Sequence, residues 1–208
     1  ERFMGVQSDV IAVTITADTL AADPNGISVS AQVANNAALV IGGALASGGA
    51  VALSNARKIT ITSGGDDDGI SFTVVGTDIN GVAQTESITG ADSGAATSSK
   101  FFLSIASITA VGDPAGTIIA GISGDSSDII FAGRSRLKGV YLTSTATAGT
   151  VDFLTSSTAG TSLFKISSVA SATATRDVVI PDEGVLFKEG IYIQYTVSTF
   201  LTLTVFHA

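Results

Sequence analysis

Apolar and polar residues alternate one for one through most of this chain, which is the two-residue period of a β-strand with one buried face. Residues 10–16 read Val-Ile-Ala-Val-Thr-Ile-Thr, and residues 27–33 alternate in the same way. Residues 58–62 read Lys-Ile-Thr-Ile-Thr, with Ile59 and Ile61 on one face. The pattern predicts further strands over residues 70–75, 83–89, 100–109 and 117–122. It then continues over 137–143, 150–154, 162–167, 176–180, 185–188, 191–197 and 200–206. Turn residues punctuate the series: Ser63-Gly64-Gly65-Asp66-Asp67-Asp68-Gly69, Ala146-Thr147-Ala148-Gly149, residues 156–160, and Pro181-Asp182-Glu183-Gly184. Asn80-Gly81 is the strongest hairpin signal, because both residue types accept positive φ. No long helical period occurs, and only residues 31–41 leave room for a helical turn. The expected fold class is all-β, with two antiparallel β-sandwich or jelly-roll-like domains.

The small polar cluster Ser123-Gly124-Asp125-Ser126-Ser127-Asp128 reads as a short linker between them. It divides the chain into an acidic β-sandwich domain, residues 1–128, and a smaller sandwich or jelly-roll domain, residues 129–208. Composition agrees with strands and turns. Thr, Val and Ile suit a pleated, half-buried surface, and 23 glycines supply turn conformations. Charged residues are 13%, about half the usual share. The 45% hydrophobic content is too high for a disordered chain, so the Ser/Thr-rich stretches read as outward strand faces.

Charge is uneven. Residues 1–128 hold 13 acids and 4 bases, a balance of -9, and residues 129–208 hold 5 acids and 6 bases, a balance of +1. An acidic exterior lacks the basic footprint of a nucleic-acid binder. The uncharged stretch 26–56 is broken by Gly42-Gly43 and Gly48-Gly49 and falls short of the ~20 strongly apolar residues of a membrane helix. With no Cys, disulfides and thiolate zinc sites are excluded, and no secretory signal is visible, which fits assembly in a reducing cytoplasm.

The chemistry-bearing residues are few. His207 is the single histidine, and next to the last residue it reads as an exposed terminal side chain rather than a catalytic base. No catalytic constellation is expected, and the chain reads as a non-enzyme. Asp66, Asp67 and Asp68 form the sharpest acidic feature, with Asp78 and Asn80 one hairpin away. They are candidate oxygen ligands for Ca²⁺, against the plainer reading of a charged turn. Arg134, Arg136 and Lys138 alternate and would share one strand face. That makes them a candidate docking strip for an acidic partner, against the plainer reading of an edge strand protected by charge.

Two stretches carry a family resemblance. Residues 57–74, Arg-Lys-Ile-Thr-Ile-Thr-Ser-Gly-Gly-Asp-Asp-Asp-Gly-Ile-Ser-Phe-Thr-Val, continue through Gly76-Thr77-Asp78, Asn80-Gly81 and Glu86-Ser87-Ile88-Thr89-Gly90. They resemble a segment of structural proteins of tailed bacteriophages. Residues 137–141, Thr147-Ala148-Gly149 and 181–187 are similar to small β-domains of the same kind of virion protein. The resemblance covers about half the chain and carries no catalytic motif. It implies a head decoration or cement protein, assembled in the host cytoplasm and located in the virion. Its partners would be the major capsid protein or other virion proteins, and it would be a homo-oligomer such as a trimer. The alternatives are a tail, fibre or receptor-binding component, and a bacterial surface-layer or adhesin module.

Overall fold

A computed structural model describes residues 9–156, 160–168 and 173–208. Its described residues form fifteen strands and no helix. In chain order these are β1 (Ile11–Thr16), β2 (Asp23–Gln32), β3 (Ala46–Ser47), β4 (Ala50–Ser63), β5 (Ser71–Thr77), β6 (Ala83–Thr89) and β7 (Ala95–Val111). They continue as β8 (Thr117–Phe131), β9 (Ser135–Ser144), β10 (Gly149–Thr155), β11 (Thr161–Ser168), β12 (Thr175–Val179), β13 (Val185–Phe187), β14 (Ile191–Thr196) and β15 (Phe200–His207). Every strand expected from the alternation is present, and the pairing is antiparallel. Part of the expected turn at 156–160 lies outside the described residues.

The residues segregate into two units. A continuous unit spans Leu20–Asp128, and a split unit combines residues 9–19 with Ile129–Ser156 and Gly160–Ala208. The expected first domain, 1–128, is therefore corrected at its start. β1 pairs along its length with β15, from Ile11 opposite His207 to Thr16 opposite Thr202. Alternation made β1 a strand; only the pairing of distant segments shows which sheet it joins.

In the split unit one sheet has the order β1-β15-β9-β12, with β13 also on β9, while β10 lies between β11 and β14. Val140, Leu142, Leu203 and Val205 of the first sheet share one core with Val151, Phe153, Ile166, Ile191, Ile193 and Tyr195 of the second set. Strand β9 changes phase on the way. Leu137 is buried, and so are Val140 and Leu142, because the register to β15 slips where His207 faces Leu137 and Phe206 faces Gly139. One extra residue at this bulge carries the core face from odd to even positions.

In the continuous unit the order is β8-β4-β7-β5-β6, with β2 on β8 and β3 on β4. Its separate core gathers Ile59, Ile61, Phe72, Val74, Phe102, Ile105, Ile108, Ile118 and Ile122, with Ile27, Val33, Leu39 and Ile41 from the β2 region. The stretch 31–41 holds no helical turn. Asn36 turns the chain at φ 55, its amide donates to Gly112 O and its Oδ1 accepts from Gly112 N, both at 3.0 Å. Gly121 explains a break in the β2–β8 register: a Cβ there would lie 2.0 Å from Asp23 O, so the two backbones touch where any other residue would separate them. The Asn80-Gly81 loop also differs from a two-residue hairpin. Thr77 pairs with Ala83, Gly81 alone of the two has positive φ, and the Asp78 carboxylate accepts from Asn80 N and Val82 N, both at 2.9 Å.

The expected linker at 123–128 is strand. It lies within β8, where Ser126 and Ser127 face Arg57 and Ala56 of β4 and are fully buried. The cause is Arg57, whose side chain is also fully buried. Its Nε donates to Asp125 O (3.1 Å), Nη1 to Leu20 O (2.8 Å) and Nη2 to Ser123 O. A planar guanidinium has five donors in a fixed fork, so one side chain satisfies several backbone carbonyls at once. The cluster is paired as strand, with Ser126 and Ser127 inside and the rest half-buried.

Candidate functional site

The acidic triplet sits between β4 and β5, and its members part company. Asp66 and Asp68 are exposed, whereas Asp67 is fully buried. Asp67 Oδ1 accepts from Ala115 N at 2.7 Å, its amide donates to Ala91 O at 3.3 Å, and its carbonyl accepts from Ile70 N at 3.0 Å. One residue thus ties its own turn to those before β7 and β8. Its Oδ2 is buried without a hydrogen bond. Among the described residues no group of three or more His, Asp or Glu side chains is gathered as a metal-binding set.

The basic residues are also divided. Arg134 is exposed in the bend before β9, and Arg136 and Lys138 lie on β9 itself, an interior strand rather than an edge. Both reach for the turn between β12 and β13. Arg136 Nη1 donates to Glu183 O (3.3 Å) and Gly184 O (3.4 Å), and Lys138 Nζ donates to Asp182 O (2.8 Å). Arg136 Nε also lies 3.9 Å from Glu183 Oε2, whose side chain is 84% exposed. These cations brace the Pro181-Asp182-Glu183-Gly184 turn, where Asp182 has φ 54.

His207 is not an exposed terminal side chain. It is 2% exposed, inside the last pair positions of β15, with Ile11 on one side and Leu137 on the other. Its Nδ1 lies 2.9 Å from Ser135 Oγ, and its ring is 5.0 Å from that of Phe131. Burial lowers its pKa below the ordinary 6.5 by desolvation of the charged form. The pair resembles the Ser–His half of a nucleophilic site in composition only. Ser135 is itself buried, 4% exposed, and its hydroxyl also reaches Ala208 O at 3.1 Å.

One ordered surface feature emerges only from the pairing of distant strands. The outward face of the β1-β15-β9-β12 sheet is a grid. One row across four strands is Thr14, Thr204, Tyr141, Asp177, and the next is Thr16, Thr202, Thr143, Thr175. Tyr141 is 40% exposed, and the threonines range from half-buried to exposed. Thr14 and Thr204 share a 2.8 Å hydroxyl hydrogen bond. Strands about 4.8 Å apart with about 6.8 Å between rows make this a regular field of short hydroxyls. Arg136 and Lys138 border it along β9. The signal was present as Thr14-Ile15-Thr16 and Thr202-Leu203-Thr204, but the partnership of the two segments was not.

The chain matches no protein-family model, no curated protein and no solved structure.

Proposed function

We propose that this chain is a structural protein of a tailed-phage virion that docks on the capsid shell and stabilises it, as a cement or decoration protein. The observation that carries the reading is the hydroxyl grid of the split unit. β-Branched threonines are already restricted at χ1, so ordering them against a partner costs little side-chain entropy. A field of donors and acceptors flanked by Tyr141 suits a broad protein surface, with the aromatic as anchor. The resemblance of residues 57–74, 86–90, 137–141 and 181–187 to virion β-domains supports the major capsid protein or another shell component as the partner. Copies arranged as a homotrimer about a symmetry axis fit the same reading. Binding only the assembled shell shifts the assembly equilibrium toward it by mass action.

Arg134, Arg136 and Lys138 form the basic rim in this arrangement, steering an acidic shell surface into register more than adding affinity. Exposed ion pairs contribute roughly 0.2–1 kcal/mol each. The test is a titration onto heads lacking this protein, at low and high salt. Thr204→Arg places a long cation in the centre of the grid and is expected to abolish measurable binding. Joint Ala substitution of the three basic residues is expected to weaken it about tenfold and flatten its salt dependence, with the melting temperature read alongside because two of them brace a turn. Unchanged binding of Thr204→Arg would remove the grid from the interface. Binding to tails or host cells instead of heads would assign the chain to the tail, fibre or receptor-binding class.

A further inference from the structure

His207 is the single imidazole in the chain, and its hydrogen-bond partners decide where its proton sits. Ser135 Oγ has one proton and two neighbours, Ala208 O at 3.1 Å and His207 Nδ1 at 2.9 Å. A carbonyl oxygen only accepts, so the hydroxyl donates to Ala208 O and accepts from Nδ1–H. The neutral ring then carries its lone pair on Nε2, which is buried with no hydrogen-bond partner. The opposite tautomer would bury an unpaired N–H donor there, the costlier arrangement.

Protonation adds that donor and a positive charge together. Among the described residues no ion pair to the ring is formed, and the neighbouring Ala208 O is engaged by Ser135 Oγ and Arg136 N. From β15's neighbours it meets Ile11 and Leu137, and from the end of β8 the Phe131 ring. Asp9 before β1, Arg134 before β9, and Lys188 and Glu189 after β13 are exposed, while Arg136 and Lys138 turn to the 181–184 loop. The Phe131 ring, 5.0 Å away, favours the cation weakly.

We propose that His207 is an acid-sensitive latch: neutral, it closes the end of β15 onto Ser135, and protonated it leaves its site and frees Ala208 from β9. The backbone it secures is a reciprocal pair, Arg136 N to Ala208 O at 2.8 Å and Ala208 N to Arg136 O at 3.0 Å. The sign follows from linkage. Burial lowers the closed-state pKa, so latch stability is complete above the open-state value near 6.5 and is lost as pH falls toward the closed-state value. The opening equilibrium grows about tenfold for each pH unit that separates the two.

Because the chain has one histidine, nitrogen and C2-proton NMR read the latch directly in the intact chain. The expected result is an Nδ1–H tautomer at pH 8 and a midpoint below 6.5. Amide protection at Arg136 and Ala208, corrected for intrinsic exchange, should fall as the ring titrates. His207→Asn keeps a donor toward Ser135 without titrating, and should make that protection independent of pH. An Nε2–H tautomer, a midpoint at or above 6.5, or pH-independent protection in the wild-type protein would overturn the proposal. The first two measurements need no variant, so a poorly folding substitution does not shield it.

Discussion

Replacing Arg57 by methionine removes the guanidinium while keeping much of the side-chain volume, and so isolates the hydrogen bonds. Three carbonyl oxygens, those of Leu20, Ser123 and Asp125, lose a donor whose own side chain is fully buried. An unsatisfied buried acceptor costs ~1–3 kcal/mol. The sum is reduced because a charge no longer has to be kept out of water, and the net expected loss is about 3–5 kcal/mol. For a cooperative unit of roughly a hundred residues this lowers Tm by about 12–20 °C. Urea unfolding followed by far-UV circular dichroism and calorimetry measures both quantities. The neighbour Lys58 is the internal control. Its ammonium lies 3.6 Å from Asp125 Oδ2 on a partly exposed surface, so Lys58→Met should cost less than ~1 kcal/mol. An Arg57→Met protein within about 1 kcal/mol of wild type would refute the clamp.

Asp67→Ala should cost about 1–3 kcal/mol through the unpaired Ala115 amide, whereas Asp66→Ala and Asp68→Ala, both exposed, should leave Tm unchanged. Chelation tests the Ca²⁺ reading of the triplet: a Tm drop with chelator that Asp66→Ala or Asp68→Ala abolishes would support it, and no drop leaves a charged turn. Glu86 accepts from Ser99 N (2.7 Å), Ser99 Oγ (2.8 Å) and Lys100 N (3.0 Å). Glu86→Ala should therefore cost about 1–2 kcal/mol and speed amide exchange at Ser99 and Lys100, with Glu86→Gln intermediate.

Strand positions were legible because each needs only its own residues. The two-residue period over 58–62 or 191–197 reports a local fact, one face buried. What failed were the features that depend on a distant partner. Ser123 to Asp128 has linker composition, and only the buried Arg57, far along the chain, makes it strand. His207 looked exposed because proximity to the end of the sequence says nothing about pairing, and Ile11 and Leu137 enclose it. The basic series 134, 136, 138 has strand spacing, yet the bulge at 138–139 and the turn at 181–184 decide where those cations go. In the acidic triplet, composition treats three aspartates alike, and packing against Ala115 makes one of them interior.

The same guanidinium that organises the continuous unit also bears on how the rest of the chain closes. Leu20 and Asp125 are the two margins of that unit, and both are held by one side chain. During synthesis at ~5–20 residues per second, β15 follows β1 by about 10–40 s, time in which β1 is an unpaired apolar strand. Every strand of the continuous unit is complete before β9 exists. Once folded, it turns a tether of roughly a hundred residues into a bridge of a few. Chain-closure entropy scales as 1.5RT ln n, so shortening the loop between β1 and β15 from about 180 to about 80 residues makes their encounter cheaper by about 0.8 kcal/mol. A weakened Arg57 should then slow the appearance of the β1–β15 pair even when the finished protein still forms it, and the lag would be visible in refolding before it was visible at equilibrium.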